Sequence, residues 1–140
     1  IKNDTEFKIF GTDYNTSDGT CVRDYIHILD IAQAHVLALQ YLEKTNQSNF
    51  FNLGSEKGYS VREMINATQI VCNSKMKIKT CDRRAGDVDT LVADSTKIKT
   101  VFGWKPKYSD LNLILKSAWE WEQKINFLQS SYQSNVINVD

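Results

Sequence analysis

The segment Arg83-Arg84-Ala85-Gly86-Asp87 places two guanidinium groups, a flexible glycine and a carboxylate in one short loop. A guanidinium fork can meet two phosphate oxygens at once, and an aspartate beside it can accept hydrogen bonds from sugar hydroxyls. Such a loop can equally be a solvated turn whose charges pair with one another. A further arginine, Arg23, stands in the otherwise apolar, β-rich run Val22-Arg-Asp-Tyr-Ile-His-Ile28, where an unpaired charge would be costly. Arg23 therefore needs an anion. The candidates are the neighbouring Asp24, a carboxylate elsewhere, or a diphosphate shared with Arg84.

Other chemistries lack their residues. There is no G-x-G-x-x-G or related glycine pattern that would lay a pyrophosphate on a helix N-terminus. Gly54-Ser-Glu-Lys-Gly58 imitates a phosphate loop but lacks its G-K-[ST] ending, and reads as a plain connecting turn. No Tyr is followed four residues later by Lys, the helical spacing at which an ammonium lowers a phenol's pKa; Tyr41 and Lys44 miss by one. His27 and His35 have no partners at zinc-ligand spacing and are expected to be packing or surface residues, so no metal is expected. Cys21, Cys72 and Cys81 fit neither a disulfide framework nor a zinc knuckle, which points to reduced thiols and a cytoplasmic location.

The elements that must position these groups follow from period and punctuation. Phe7 to Phe10 alternates and reads as a short strand, followed by a polar stretch with its sharpest turn at Asp18-Gly19. Val22 to Ile28 reads as a strand leading to Asp30, the expected N-cap of a helix over 30–44. Phe50 to Leu53 reads as a buried strand, and Ser60-x-x-Glu63 as a capping box opening a helix over 60–73. Met76 to Cys81 is a further strand, and helices are expected over 94–102, capped at Asp94-Ser-Thr and ended by Gly103, and over 110–126. This βαβ rhythm predicts an α/β fold with a small mixed sheet and flanking helices. Residues 1–128 are expected to form one domain, and 129–140, rich in Gln, Ser and Asn, a polar tail with little structure.

Composition narrows the partners. The chain has 140 residues with 17 basic and 17 acidic side chains, so no global field draws it to nucleic acid or an anionic membrane. No apolar run is long enough to cross a bilayer, and the N-terminus lacks the build of a signal peptide. The chain begins at Ile1 without an initiator Met and is expected to be a piece of a longer protein.

Gly19-Thr-Cys-Val-Arg-Asp-Tyr-Ile-His-Ile-Leu-Asp-Ile-Ala-Gln-Ala-His35, Asn52-Leu-Gly54, Arg83-Arg-Ala-Gly-Asp87, Ala93-Asp-Ser-Thr-Lys97 and Phe102-Gly-Trp104 occur in the order and spacing of UDP-glucose 4-epimerases. The resemblance covers roughly residues 6 to 125 and matches the C-terminal, substrate-binding portion of these extended short-chain dehydrogenase/reductases. The N-terminal Rossmann half of the family, with its glycine fingerprint and catalytic Ser/Thr and Tyr-x-x-x-Lys, has no counterpart here. Other relatives, such as UDP-glucuronate epimerases or nucleotide-sugar dehydratases, fit the motif set less well. A non-catalytic interaction domain of the same fold would have no evident reason to keep Arg23, Arg84 and Asp87.

The resemblance implies specific roles. The strand Lys8-Ile9-Phe10 would contact uracil, largely through main-chain groups, Arg23 and Arg84 would bind the diphosphate, and Asp87 would contact ribose hydroxyls. NAD would oxidise C4 of the hexose and return the hydride to its other face, but no catalytic residue and no bound NAD are expected on this chain, which alone should be inactive. Leu91, four residues after Asp87, matches a position that lines the hexose pocket. A bulky aromatic there restricts the sugar and a small side chain admits an N-acetyl group, whereas the alternative is that Leu91 packs in the core beside Val88 and Val92. Apolar surface turned toward the missing Rossmann domain could drive self-association into a homo-oligomer.

Overall fold

The computed structural model describes residues 6–136, with side chains described through Leu128. The element order is β1 (Glu6–Phe10), β2 (Val22–Asp24), α1 (Ile28–Thr45), β3 (Gly58–Ser60), α2 (Val61–Val71), β4 (Lys77–Cys81), β5 (Thr90–Leu91), α3 (Thr96–Phe102) and α4 (Leu111–Val136). Instead of one mixed sheet there are two small ones. β1 and β4 pair in parallel, Phe7 against Ile78 and Phe10 against Cys81. The other is mixed, in the order β3-β2-β5, with β2 antiparallel to β3 and parallel to β5. Arg23 thus lies on a central strand, between Tyr59 and Leu91.

The expected capping box is present. Ser60 Oγ accepts from the Glu63 amide at 3.0 Å while Glu63 accepts from the Ser60 amide at 2.7 Å, so the start of α2 is fixed by local hydrogen bonds. Gly103 closes α3 with φ 63°, and the Thr96 amide at its start is taken by the Asp94 carboxylate at 2.9 Å.

The start of α1 corrects the sequence reading. Its N-cap is His27, whose Nδ1 accepts from the Leu29 amide at 3.0 Å. Asp30 falls inside the first turn, 1 % exposed, and turns inward to accept from the amides of Lys107 and Tyr108 at 2.8 and 3.0 Å. The apolar residues before Asp30 join the helix, so the strand expected to reach Ile28 ends at Asp24. His27 Nε2 lies 2.8 Å from Ser117 Oγ and ties α1 to α4. His27 is a buried packing residue, while His35 is exposed, as expected for both.

Phe50 to Leu53 is not a strand. Phe50 is 81 % exposed, its carbonyl accepts from Lys97 Nζ at 2.8 Å, and the segment pairs with no strand among the described residues. Phe51 instead inserts its ring among Tyr41 and Phe102, with centroids 6.2 and 4.5 Å away. The core of Ala34, Ile98 and Trp104 is covered by Ile26, Leu37, Phe51, Leu53 and Phe102, and the indole N–H of Trp104 donates to the Asp30 carbonyl at 3.2 Å.

α4 runs to Val136, so the polar composition after Phe127 does not end the helix as expected; residues 137–140 of that segment lie outside the described residues. Gln and Ser are tolerated in a helix interior, and no Gly or Pro interrupts this run.

Candidate nucleotide site

Three segments converge at one end of the molecule: β1, β2 and the 82–89 loop. The side chains of Lys8, Phe10, Arg23, Arg84 and Asp87 line a single cleft of about 380 Å³. Pairing with β4 carries β1 to the start of that loop, and a hydrogen bond from the Gly11 amide to the Cys81 carbonyl at 2.9 Å continues the register past the strand.

Arg23 has its anion, but it is not Asp24. Its Nη2 lies 3.5 Å from Asp87 Oδ1, and its Nη1 donates to the carbonyls of Val22 and Val88 at 2.8 and 2.9 Å. The same carboxylate accepts from Arg84 Nε through Oδ2 at 3.1 Å, so Asp87 stands between the two guanidinium groups. Arg84 also lies over the ring of Phe10, 4.6 Å from its centroid, and is 62 % exposed. One carboxylate therefore orients two cations without neutralising both, leaving donors for a further anion.

Asp24 serves the opposite side of β2. Its carboxylate accepts from the Ser55 amide and hydroxyl at 2.9 and 2.6 Å and from the Glu56 and Ala93 amides, both at 3.2 Å. The turn Gly54 to Gly58 is thus a connection wrapped around an internal anion, as its missing phosphate-loop ending indicated. Gly54 has to be glycine, because a Cβ there would stand 2.6 Å from that of Ala93 and closer still to the Asp24 carboxylate. The Ser55 and Glu56 amides of this turn are thus given to Asp24, and the Lys57 amide to Ser55 Oγ at 3.2 Å. Among the described residues no group of His, Cys, Asp and Glu is placed to hold a metal ion.

Ile9 could take part only through its main chain, as the expected uracil contact of this strand allows. Its side chain is 2 % exposed in the core and does not reach the cleft, while its backbone sits opposite Thr80 in the β1–β4 ladder. Leu91 is 61 % exposed, which overturns the reading that it packs in the core with Val88 and Val92; those two are also exposed. Leu91 lines a second, open cleft of about 540 Å³ with Asn52, and Arg23 borders both clefts.

Cys21 and Tyr25 also line the first cleft and were not singled out from the sequence. The signal was there in the two-residue period of an extended chain, which puts positions 21, 23 and 25 on one face. Burial pushes the Tyr25 phenol above its ordinary pKa, partly offset by the charge of Arg23. Cys21, Cys72 and Cys81 are free thiols.

The family model for GDP-mannose 4,6 dehydratase matches residues 2–116. A UDP-glucose 4-epimerase from Rhizobium leguminosarum bv. trifolii is 50 % identical over 120 residues, covering 86 % of this chain and 36 % of the relative. A crystal structure of a UDP-glucose 4-epimerase superimposes with TM-score 0.81 at 45 % identity, covering 86 % of this chain and 37 % of the other. That of the Bifidobacterium longum UDP-glucose 4-epimerase in complex with NAD+ and UDP gives TM-score 0.77 at 32 % identity, covering 88 % and 36 %. The chain spans about a third of the length of the curated relatives it matches. No helix among the described residues is long and apolar enough to cross a membrane. By sequence and by fold, the chain belongs to the extended short-chain dehydrogenase/reductase family and matches about a third of the length of its UDP-glucose 4-epimerases.

Proposed function

We propose that this chain holds the nucleotide of a UDP-hexose in a UDP-glucose 4-epimerase, the enzyme that interconverts UDP-glucose and UDP-galactose in galactose metabolism. Arg23 and Arg84 take the diphosphate, Asp87 the ribose hydroxyls, and the edge of Lys8 to Phe10 the uracil, with residues 1–128 acting as one substrate-binding unit. The observation that carries this reading is the Arg23–Asp87–Arg84 bridge in a cleft that also contains Lys8 and Phe10. Leu91, in the adjoining cleft at Arg23, stands where the hexose would extend from the diphosphate.

Turnover needs what these residues do not supply. NAD, when bound to a whole enzyme of this family, accepts and returns a hydride; this chain's own part is to hold the nucleotide while the oxidised sugar turns over. The 140 residues contain no Tyr-x-x-x-Lys pair, and the chain alone should bind without epimerising. The free thiols support a reducing, cytoplasmic compartment.

The test is a titration of the isotopically labelled chain by NMR, which reads weak binding. UDP should shift the amides of β1, β2 and the 82–89 loop, and uridine should bind at least tenfold more weakly. Shifts confined to other surfaces, or equal binding of uridine, would refute the assignment.

A further inference from the structure

We propose that Arg83 is a positioning residue for this cleft: it locks the 82–87 loop onto the turn at Asp13 and Tyr14 and so presets Arg84 and Asp87. The inference rests on the UDP-binding reading and extends it to a residue that touches no ligand. The two adjacent arginines point opposite ways. Arg84 turns into the cleft, onto Asp87 and Phe10. Arg83 turns to the segment after β1, where its Nε donates to the Asp13 carboxylate at 2.7 Å and an Nη donates to the Asp13 carbonyl. The guanidinium carbon lies 4.1 Å from the centroid of the Tyr14 ring. Two directed hydrogen bonds and a stacking face fix all three parts of a planar group, which a single charge could not do.

The anchor is buried and the loop it holds is exposed. Tyr14 is 4 % exposed, so its ring position is set by packing. Gly11 beneath it, at φ 79°, leaves the space: a Cβ there would lie 2.8 Å from Arg83 Cγ and closer to the Tyr14 ring. A parallel strap runs from the Asn15 amide to Asp89 Oδ2 at 3.1 Å, on the far side of the loop. Between them the loop passes through Gly86, at φ 85° with open space where a Cβ would stand, and is spanned by the 3.3 Å bond from the Asp87 amide to the Arg84 carbonyl and by the Arg84–Asp87 ion pair. The Arg83 hydrogen bond holds the Asp13 carboxyl below its ordinary pKa. Asp13 is 74 % exposed, and an ion pair this open contributes little to global stability, so its consequence is where the loop sits.

The experiment is a double-mutant cycle read by UDP titration, with amide hydrogen exchange on the same full-length samples. Arg83→Ala should weaken UDP binding about three- to tenfold while Arg84 is present, and should have a clearly smaller effect in the Arg84→Ala background, where only Asp87 is left for it to position. Asp13→Ala should reproduce part of the Arg83→Ala loss, because the Asp13 carbonyl and the Tyr14 ring still hold the guanidinium, and Arg83→Lys should recover little of it, because an ammonium cannot make both bonds and stack. Without ligand, Arg83→Ala should speed exchange at the Asp87 amide and leave α3 unchanged. An equal loss in both backgrounds would mean that Arg83 meets the ligand or the fold directly, and would overturn the inference. Unchanged exchange at Asp87 would overturn it as well, and that readout stands even if the chain fails to bind UDP, an outcome that would refute the functional reading instead.

Discussion

Arg23 and Asp87, 64 residues apart in the chain, meet at 3.5 Å at the rim of the cleft, and the second oxygen of the same carboxylate holds Arg84 at 3.1 Å. An aspartate between two arginines has two effects on an incoming nucleotide diphosphate: it sets the distance between the cations and it competes for their donors.

These effects separate with ligand size. Asp87→Ala should weaken UDP binding about tenfold, equivalent to about 1.4 kcal/mol, through loss of the ribose contact and the orientation of Arg84. The same change should strengthen binding of inorganic pyrophosphate, which makes no ribose contact and gains the released donors. Parallel losses for both ligands, read by titration, would mean that Asp87 acts only by holding the loop in place.

A second expectation concerns acid stability and lies away from the cleft. Burial raises the Asp18 pKa, but hydrogen bonds from Ser60, and then from the hydroxyl and amide of Thr20, outweigh it and hold the carboxyl below its ordinary value. A depressed folded pKa contributes stability that is present above about pH 4, the unfolded value, and is lost as pH falls through the folded one. Asp18→Asn should therefore lower the thermal midpoint at neutral pH and flatten its fall on acidification. An acid limb with the wild-type slope would show that the carboxylate is not the group responsible.

Leu91 gives a third. It is 61 % exposed in the second cleft, intermediate in bulk between the residues that close and open such a pocket. In a full-length epimerase carrying this segment, UDP-glucose should be the better substrate and UDP-N-acetylglucosamine a poor but detectable one. Leu91→Tyr should lower the kcat/KM ratio for the acetylated sugar and Leu91→Ser should raise it; a ratio that moves with neither would place the gate elsewhere.

The solvent face of α1 gives a fourth. Ile28, Leu29, Val36, Leu39 and Leu42 are between 47 and 69 % exposed and share one arc of the helix, opposite the buried Asp30 and Ala34. The chain by itself should self-associate with rising concentration, and Leu39→Glu should hold it monomeric in light-scattering measurements. Concentration-independent monomer in the unaltered chain would contradict this.

Much of the site was legible from residue types because each carried its own electrostatic argument. A charge in the run 22–28 required a partner wherever the chain put it, and the pairing of Arg84 with Asp87 is a local matter of a short loop. The identity of the Arg23 partner was not legible, because Asp24 and Asp87 are equally acidic and only the fold turns the first toward Ser55 and the second toward Arg23. Helix boundaries failed for a similar reason. Asp30 has the chemistry of an N-cap, but tertiary contacts used its carboxylate for the amides of Lys107 and Tyr108, leaving the cap to His27. Phe50 to Leu53 had strand composition but pairs with no strand among the described residues. The family likeness in the motifs from Gly19 to Trp104 supplied what spacing alone does not, the expectation that the anion the arginines meet is a diphosphate.

The nucleotide-binding reading stands or falls on Arg84, which reaches the cleft, and its neighbour Arg83, which does not line it. A hydrogen bond to a charged partner contributes about 1.5 to 3 kcal/mol, so Arg84→Ala should weaken UDP binding by about 10- to 100-fold, and Arg83→Ala by less than Arg84→Ala. UDP titration of the two variants against the unaltered chain is the deciding measurement. UDP affinity unchanged in Arg84→Ala and abolished in Arg83→Ala would contradict the site as assigned.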